Sequence, residues 1–248
     1  MKKLILAGAI AAACAAGPLR AQDAKPDNEL SFNVAGVSDY RFRGISQTRL
    51  EPALQGGADY VNNPTGFYAG AWASTIKWTR DAGGGGDVEV DLYGGRRGAI
   101  ARDFSYDVGV LAYVYAGNDL GRVGLKNADT LELYGQLGYG PAYVKYSHAA
   151  TNLFGAVDSS NSGYLDIGAN IDLTHGWTGN LHAGHQSVKR APAASYSDWK
   201  LGVTKDFGVL TGALAVIGSN ADKGAYASPV NGKFTGKTAL VLTLAKTF

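Results

Sequence analysis

The chain has 248 residues, 46% of them hydrophobic, with 35 glycines, 14 tyrosines, one cysteine and one methionine, and a formal net charge of +2. That charge is too small to mark a nucleic-acid binder, and a single cysteine excludes a disulfide scaffold. No cofactor motif and no local nucleophile signature accompany it.

Lys2 and Lys3 precede an apolar run from Leu4 to Ala16, which Gly17 and Pro18 break. The run is too short to span a bilayer as a helix and reads as a secretory signal peptide, residues 1–21, cleaved after Ala21 or alternatively after Gly17. Cys14 lacks the preceding large apolar residue of a lipoprotein site, so lipidation is not expected. Without Lys2, Lys3 and Arg20, 20 basic residues face 21 acidic ones, close to neutrality. The expected organisation is a leader over 1–21, a short periplasmic segment over 22–29 and one domain over 30–248.

From Leu30 onward, period-two alternation recurs without an amphipathic helix. The first strand is expected from Leu30 to Arg43, with Leu30, Phe32, Val34, Tyr40 and Phe42 on one face and Asp39, Arg41 and Arg43 on the other. The second, from Ala53, sets Leu54 and Tyr60 against Gln55 and Asp59. A third, Phe67 to Trp78, is aromatic and ambiguous in facing. The fourth alternates Val88, Val90 and Leu92 with Glu89 and Asp91, and the fifth places Asp107 and Tyr113 opposite a valine-rich face. Glu132 and Gln136 mark the polar face of the sixth, Lys145 that of the seventh and Asp166, Asn170 and Asp172 that of the eighth. The ninth begins at Trp177. The tenth sets Trp199 and Leu201 against Asp198 and Lys200. The eleventh, Val209 to Gly218, is apolar and poorly phased. The twelfth ends the chain as KTALVLTLAKTF, closing on Phe248.

The connections sort by parity: six long ones alternate with five short ones, and the long ones are rich in Gly, Asn, Ser and Asp. An even number of antiparallel strands with short turns at one end and long loops at the other is the plan of a transmembrane β-barrel of the bacterial outer membrane. The expected fold is therefore an all-β antiparallel barrel of twelve strands, with both termini on the periplasmic, short-turn side.

The segment LSFNVAGVSDYRFRGISQT (residues 30–48), followed by EPALQGGADY, GFYAGAWAST and VEVDLYGG, resembles the proteobacterial TorF-family porins, also described as the Gcw_chp family of unknown function. The resemblance is tightest over residues 30–95. It implies an outer-membrane porin-type barrel and supplies no catalytic residues.

Asp39, Arg41, Arg43, Asp59, Glu89, Asp91, Asp107, Glu132, Lys145, Asp166 and Lys200 are the candidate pore-lining residues, as a charged constriction or as paired charges that fill a narrow lumen. Counted with Asp172, acids outnumber bases among them, which predicts mild cation preference. Tyr40, Phe42, Trp78, Tyr139, Trp177, Trp199 and Phe248 fall near strand ends and are candidates for aromatic girdles. His182 and His185 are three apart on a strand, so they point to opposite faces and cannot chelate one metal. The expected function is passive diffusion of small polar or charged solutes, with two alternatives: a structural or surface-exposed barrel with a plugged lumen, and an outer-membrane hydrolase. The expected partners are outer-membrane lipid, small solutes and the barrel-assembly machinery, which would read the C-terminal strand at Phe248. Nucleic acid is not among them.

Overall fold

The computed structural model describes residues 26–248. The expected leader and its cleavage site lie outside the described residues. In chain order the elements are β1 (Asn28–Val37), β2 (Arg41–Phe42), β3 (Ile45–Ser46), β4 (Ala53–Asn62), β5 (Phe67–Thr75), α1 (Trp78–Asp81), β6 (Val88–Ala99), β7 (Phe104–Ala116), β8 (Thr130–Tyr139), β9 (Ala142–Ala149), β10 (Gly163–Asp172), β11 (Trp177–Ser187), β12 (Tyr196–Asp206), β13 (Thr211–Ser219) and β14 (Ala239–Thr247). β1 and β4–β14 are twelve antiparallel strands that form one closed barrel. β2 and β3 are a separate small hairpin.

Closure is made by β1, which pairs with β4 on one side and β14 on the other. Past the end of β14, Phe248 N donates to Phe32 O at 2.8 Å and Phe32 N to Phe248 O at 3.2 Å, so the last residue completes the seam. A closed sheet leaves no row of backbone donors and acceptors unpaired, which is what hydrocarbon demands. The outer face matches that solvent. Leu30, Phe32 and Val34 of β1 and Leu240, Leu242 and Leu244 of β14 all point outward and stand exposed.

Connections at one end of the barrel are four residues or fewer, and those at the other are eight or more. This is the expected parity. Several boundaries differ from the sequence reading. The first wall strand begins at Asn28, inside the expected periplasmic segment, and stops at Val37 rather than Arg43. The third stops at Thr75, and Trp78 opens α1 instead of ending the strand. β6 runs to Ala99, so Arg96 and Arg97 belong to the wall and not to a turn. The two ambiguous strands take definite phases: Tyr68, Trp72 and Ser74 of β5 and Thr211 and Ile217 of β13 face inward.

The high Gly and Tyr content has one structural source. Inward tyrosines lie flat across the neighbouring strand, over a glycine directly opposite in the ladder: Tyr93 on Gly70, Tyr68 on Gly95, Tyr134 on Gly109 and Tyr143 on Gly168. A Cβ on Gly168 would sit 2.5 Å from Tyr143 Oη, inside contact distance. On the outer face Trp199 covers Gly218 in the same way. Glycine is a weak strand former, yet here its missing side chain is the socket for a ring. Gly168→Ala should therefore destabilise the barrel by about 1–3 kcal/mol. The measurement is the temperature at which the folded band is lost in heat-modified gel migration. A double-mutant cycle with Tyr143→Ala should show coupling between the two sites.

Candidate functional site

The site is the barrel lumen, and its central feature is the first long connection, residues 38–52. After Val37 the chain leaves the wall and turns inward as the β2–β3 hairpin, in which Phe42 pairs with Ile45. The two residues between them, Arg43 (φ 46°) and Gly44 (φ 78°), both adopt positive φ, the requirement of a type I′ hairpin turn. Gly44 is needed on two counts, because a Cβ there would meet Asp198 Cβ at 2.6 Å. The tip is thus pressed against β12.

Arg43 spans the lumen. Its guanidinium donates to Glu132 Oε2 on β8 and Gln186 Oε1 on β11, each at 2.7 Å, and stacks 4.2 Å from the Tyr164 ring centroid. In the ring of strands β8 lies four steps beyond β4, and β11 four steps beyond β1 in the other sense. The loop that starts between β1 and β4 is therefore anchored on the opposite wall. Burial works against the Arg43 charge, but Glu132 outweighs it and holds the pKa above its ordinary value.

The rest of the loop is fixed from within and from above. The Asp39 carboxylate accepts from Arg41 Nε at 2.6 Å and Ser46 Oγ at 2.5 Å. Arg41 Nη1 donates to the carbonyls of Gly44, Thr235 and Lys237 at 2.9–3.2 Å, and Ser46 N to Thr235 O at 3.0 Å. The last long connection is thereby tied to the first. Tyr40 packs edge-on against Trp72 at 5.5 Å and donates to Glu89 Oε1 at 3.1 Å. Burial, reinforced by Glu89 and Asp91, keeps the Tyr40 phenol well above its ordinary pKa, so it serves as the donor. Phe42 packs on Tyr113 and Phe154, each at 5.5 Å.

These positions correct part of the sequence reading. Asp39, Arg41 and Arg43 are not wall residues with alternating faces; they belong to an inserted loop, and only as such do they enter the lumen. Tyr40, Phe42 and Trp78 do not point toward lipid. Tyr40 and Phe42 are held in the interior, and Trp78 packs inside against Tyr115 at 5.0 Å. Tyr139, Trp177, Trp199 and Phe248 are exposed on the outside. Tyr139, Trp177 and Phe248 share the short-turn rim with Tyr60, Phe67, Phe104 and Phe207, whereas Trp199 lies toward the long-loop rim.

The remaining candidates face inward. Asp59 accepts from Tyr93 Oη, and Asp107 accepts from Tyr68 Oη at 2.5 Å. Glu89 and Asp91, two apart on β6, are buried near the long-loop end, and neither Glu89 Oε2 nor Asp91 Oδ1 meets a hydrogen-bond donor. Lys145 Nζ sits 3.9 Å from the Tyr134 ring centroid. Lys200 is half-buried beside His182 in the ladder. Asp172 is exposed at the short-turn rim.

Asp198 and His182 were missed as lumen residues of consequence. His182 Nδ1 lies 2.7 Å from Asp166 Oδ1 and Nε2 lies 2.7 Å from Asp198 Oδ1. Two carboxylates at the two ring nitrogens call for a ring that donates from both. Tyr164 Oη donates to Asp198 Oδ2 at 2.9 Å. These partners lie on three different strands, so only their shared inward phase could have pointed to them. His185 faces the other way and bonds Ser197 Oγ. Among the described residues no cluster of three or more metal-ligating side chains occurs.

A closed twelve-stranded antiparallel barrel with an apolar exterior, a polar interior and loops sorted by end belongs, by fold, with the outer-membrane porins. The NanC porin superposes on 88% of this chain and 98% of its own with a TM-score of 0.56 at 10% identity. LpxR from Salmonella typhimurium aligns over 88% and 99% (TM-score 0.46, 11% identity), and OprD from Pseudomonas aeruginosa over 88% and 66% (TM-score 0.41, 9% identity). Such low identities speak to fold alone. No curated protein matches the sequence. The chain belongs to the Gcw_chp family, bacterial proteins of unknown function, whose model matches residues 21–248.

Arg43→Met would strand Glu132 in a buried position. The expected loss is about 3–5 kcal/mol, since a buried ion pair is most damaging when only one partner goes. Adding Glu132→Gln should recover much of it. Thermal unfolding in detergent, followed by circular dichroism, measures both.

Proposed function

We propose that the protein is an outer-membrane channel for passive diffusion of small polar or charged solutes, with the inserted loop as its constriction. One observation carries the reading: a loop crosses a polar lumen and grips the far wall through Arg43. Below that level the inner wall is partly exposed and lined by small polar side chains, among them Ser31, Asn33, Asn170, Thr178 and Asn180. A barrel that needed only to be filled would carry packed apolar side chains there. The charged lining of Glu132, Lys145, Asp166 and Lys200 suits polar solutes better than apolar ones. On this reading the protein is not an enzyme.

The plugged-barrel reading also has an observation in its favour. At the long-loop end Glu89, Tyr113 and Tyr115 are 3% exposed or less. Planar-bilayer conductance of the refolded barrel, intact and with residues 41–46 replaced by a short glycine linker, separates the two. A channel conducts when intact, and severalfold more once the hairpin is gone. A plugged barrel is silent until the hairpin is removed. Silence of both folded, inserted proteins would sink the channel reading.

Location in the outer membrane is supported by the apolar belt and the aromatic side chains at the short-turn rim, where indole and phenol rings suit an interface. Phe248 would then lie at the periplasmic rim, exposed and flanked by Lys246, whose ammonium sits 5.0 Å from its ring centroid. We propose it as the mark read by the barrel-assembly machinery. Deletion of Phe248 should lower the amount of barrel assembled in cells while leaving single-channel conductance of the assembled fraction unchanged. Normal assembly of the deletion would refute that role.

A further inference from the structure

On four successive strands, β9 to β12, one ionisable side chain faces the lumen, Lys145, Asp166, His182 and Lys200, with a two-residue step between β10 and β11, where Asp166 pairs with Gly184 and His182 with Gly168. Lys145 is level with Asp166 in the β9–β10 ladder, and His182 with Lys200 in the β11–β12 ladder. The members of this row are not equally engaged. Asp166 accepts from His182 and from Tyr143 Oη at 3.2 Å. Asp198, next to the row, has both oxygens taken, one by His182 and one by Tyr164. Glu132 is held by Arg43.

The two ammonium groups are the exception. Lys145 lies on the face of Tyr134 with the charges of Asp107, Glu132 and Asp166 nearby but none within ion-pair distance, and Lys200 feels Asp166 and Asp198 without an ion pair to either. A lysine ammonium carries three donors and no acceptor. The lumen here therefore offers cationic donors that are not bonded to a carboxylate, while Asp166 and Asp198 already accept on both oxygens. Net charge hides this. Arg43, Lys145, His182 and Lys200 are matched by Asp107, Glu132, Asp166 and Asp198, so the count alone predicts no anion site.

We propose that Lys145 and Lys200 are two successive stations for small oxyanions, carboxylates or phosphate, on the path through the lumen. This rests on the channel reading above and names its substrate class. The stations lie three strands apart along the wall, about 14 Å at the usual strand spacing. An anion is thus handed from one to the other rather than trapped between both, and weak multi-site binding of that kind is what conduction requires. The direction is opposite to the cation preference that a plain count of acids and bases suggests.

The test has two independent arms on the full-length mature barrel. In detergent, isothermal titration with glutarate and with inorganic phosphate should show binding that Lys145→Gln/Lys200→Gln weakens at least about tenfold, since each lost charge-assisted bond is a large share of a weak site. Lys126→Gln, in an exposed loop, should leave it unchanged. Lys145→Arg/Lys200→Arg should retain it, which guards against a folding defect. Whichever probe binds identifies carboxylate or phosphate as the preferred class. In planar bilayers, a potassium chloride gradient should give a reversal potential of anionic sign for the wild type, shifted toward zero in the double glutamine variant. No binding of either probe, binding indifferent to both lysines, or a cation-selective wild type overturns the proposal. Silent bilayers with lysine-dependent binding would instead remove the channel reading and leave the site standing.

Discussion

Everything in this structure depends on the pairing of the first strand with the last. In hydrocarbon an unpaired backbone amide or carbonyl costs several kcal/mol, so a sheet is tolerable only without edges. The β1–β14 ladder, finished by the mutual bonds of Phe32 and Phe248, removes those edges. Closure then dictates chemistry. Each strand must be apolar outward, and its inward side chains enclose a space that twelve strands make wider than wall side chains alone can fill. The molecule fills it in two ways. Flat tyrosines seated on glycines line the wall, and a loop from the rim enters the middle.

Ionisable groups placed inside such a space are expensive unless each has a partner. The arrangement here is a set of local settlements: Arg41 with Asp39, Arg43 with Glu132, and His182 between Asp166 and Asp198. Tyrosine hydroxyls occupy many of the carboxylate oxygens that remain. The chemistry the lumen presents is therefore decided by which donors and acceptors are left over, and a tally of charges misses that distinction.

Much of the fold was legible in the sequence because the barrel is a periodic object. Alternation every second residue reveals the strands, and loop length by parity reveals their antiparallel order and even number. Placement of Glu89, Asp107, Glu132, Lys145 and Asp166 on the inner face followed from that phase. Periodicity fails where the backbone stops obeying it. Through Ser38–Arg43 the pattern continues in the residues, yet the chain has left the wall, and the Arg43–Gly44 turn and the Asp39 acceptor hold it as an inward hairpin. The Arg-Gly pair between Phe42 and Ile45 was the readable sign of that hairpin. Partnerships such as His182 with Asp166 and Asp198 are contacts between strands and leave no trace in spacing along one of them.

The inserted hairpin comes early in the chain, but its ties are distributed over the whole of it. Arg43 needs β8 and β11, and Arg41 needs the carbonyls of Thr235 and Lys237, which lead directly into β14. The full set of ties therefore exists only in the complete ring. The loop after β1 is thus held by contacts with the middle and the end of the described chain. A loop held in this way reports on the whole barrel: its complete set of bonds exists only when β8, β11 and the segment leading into β14 are all in place.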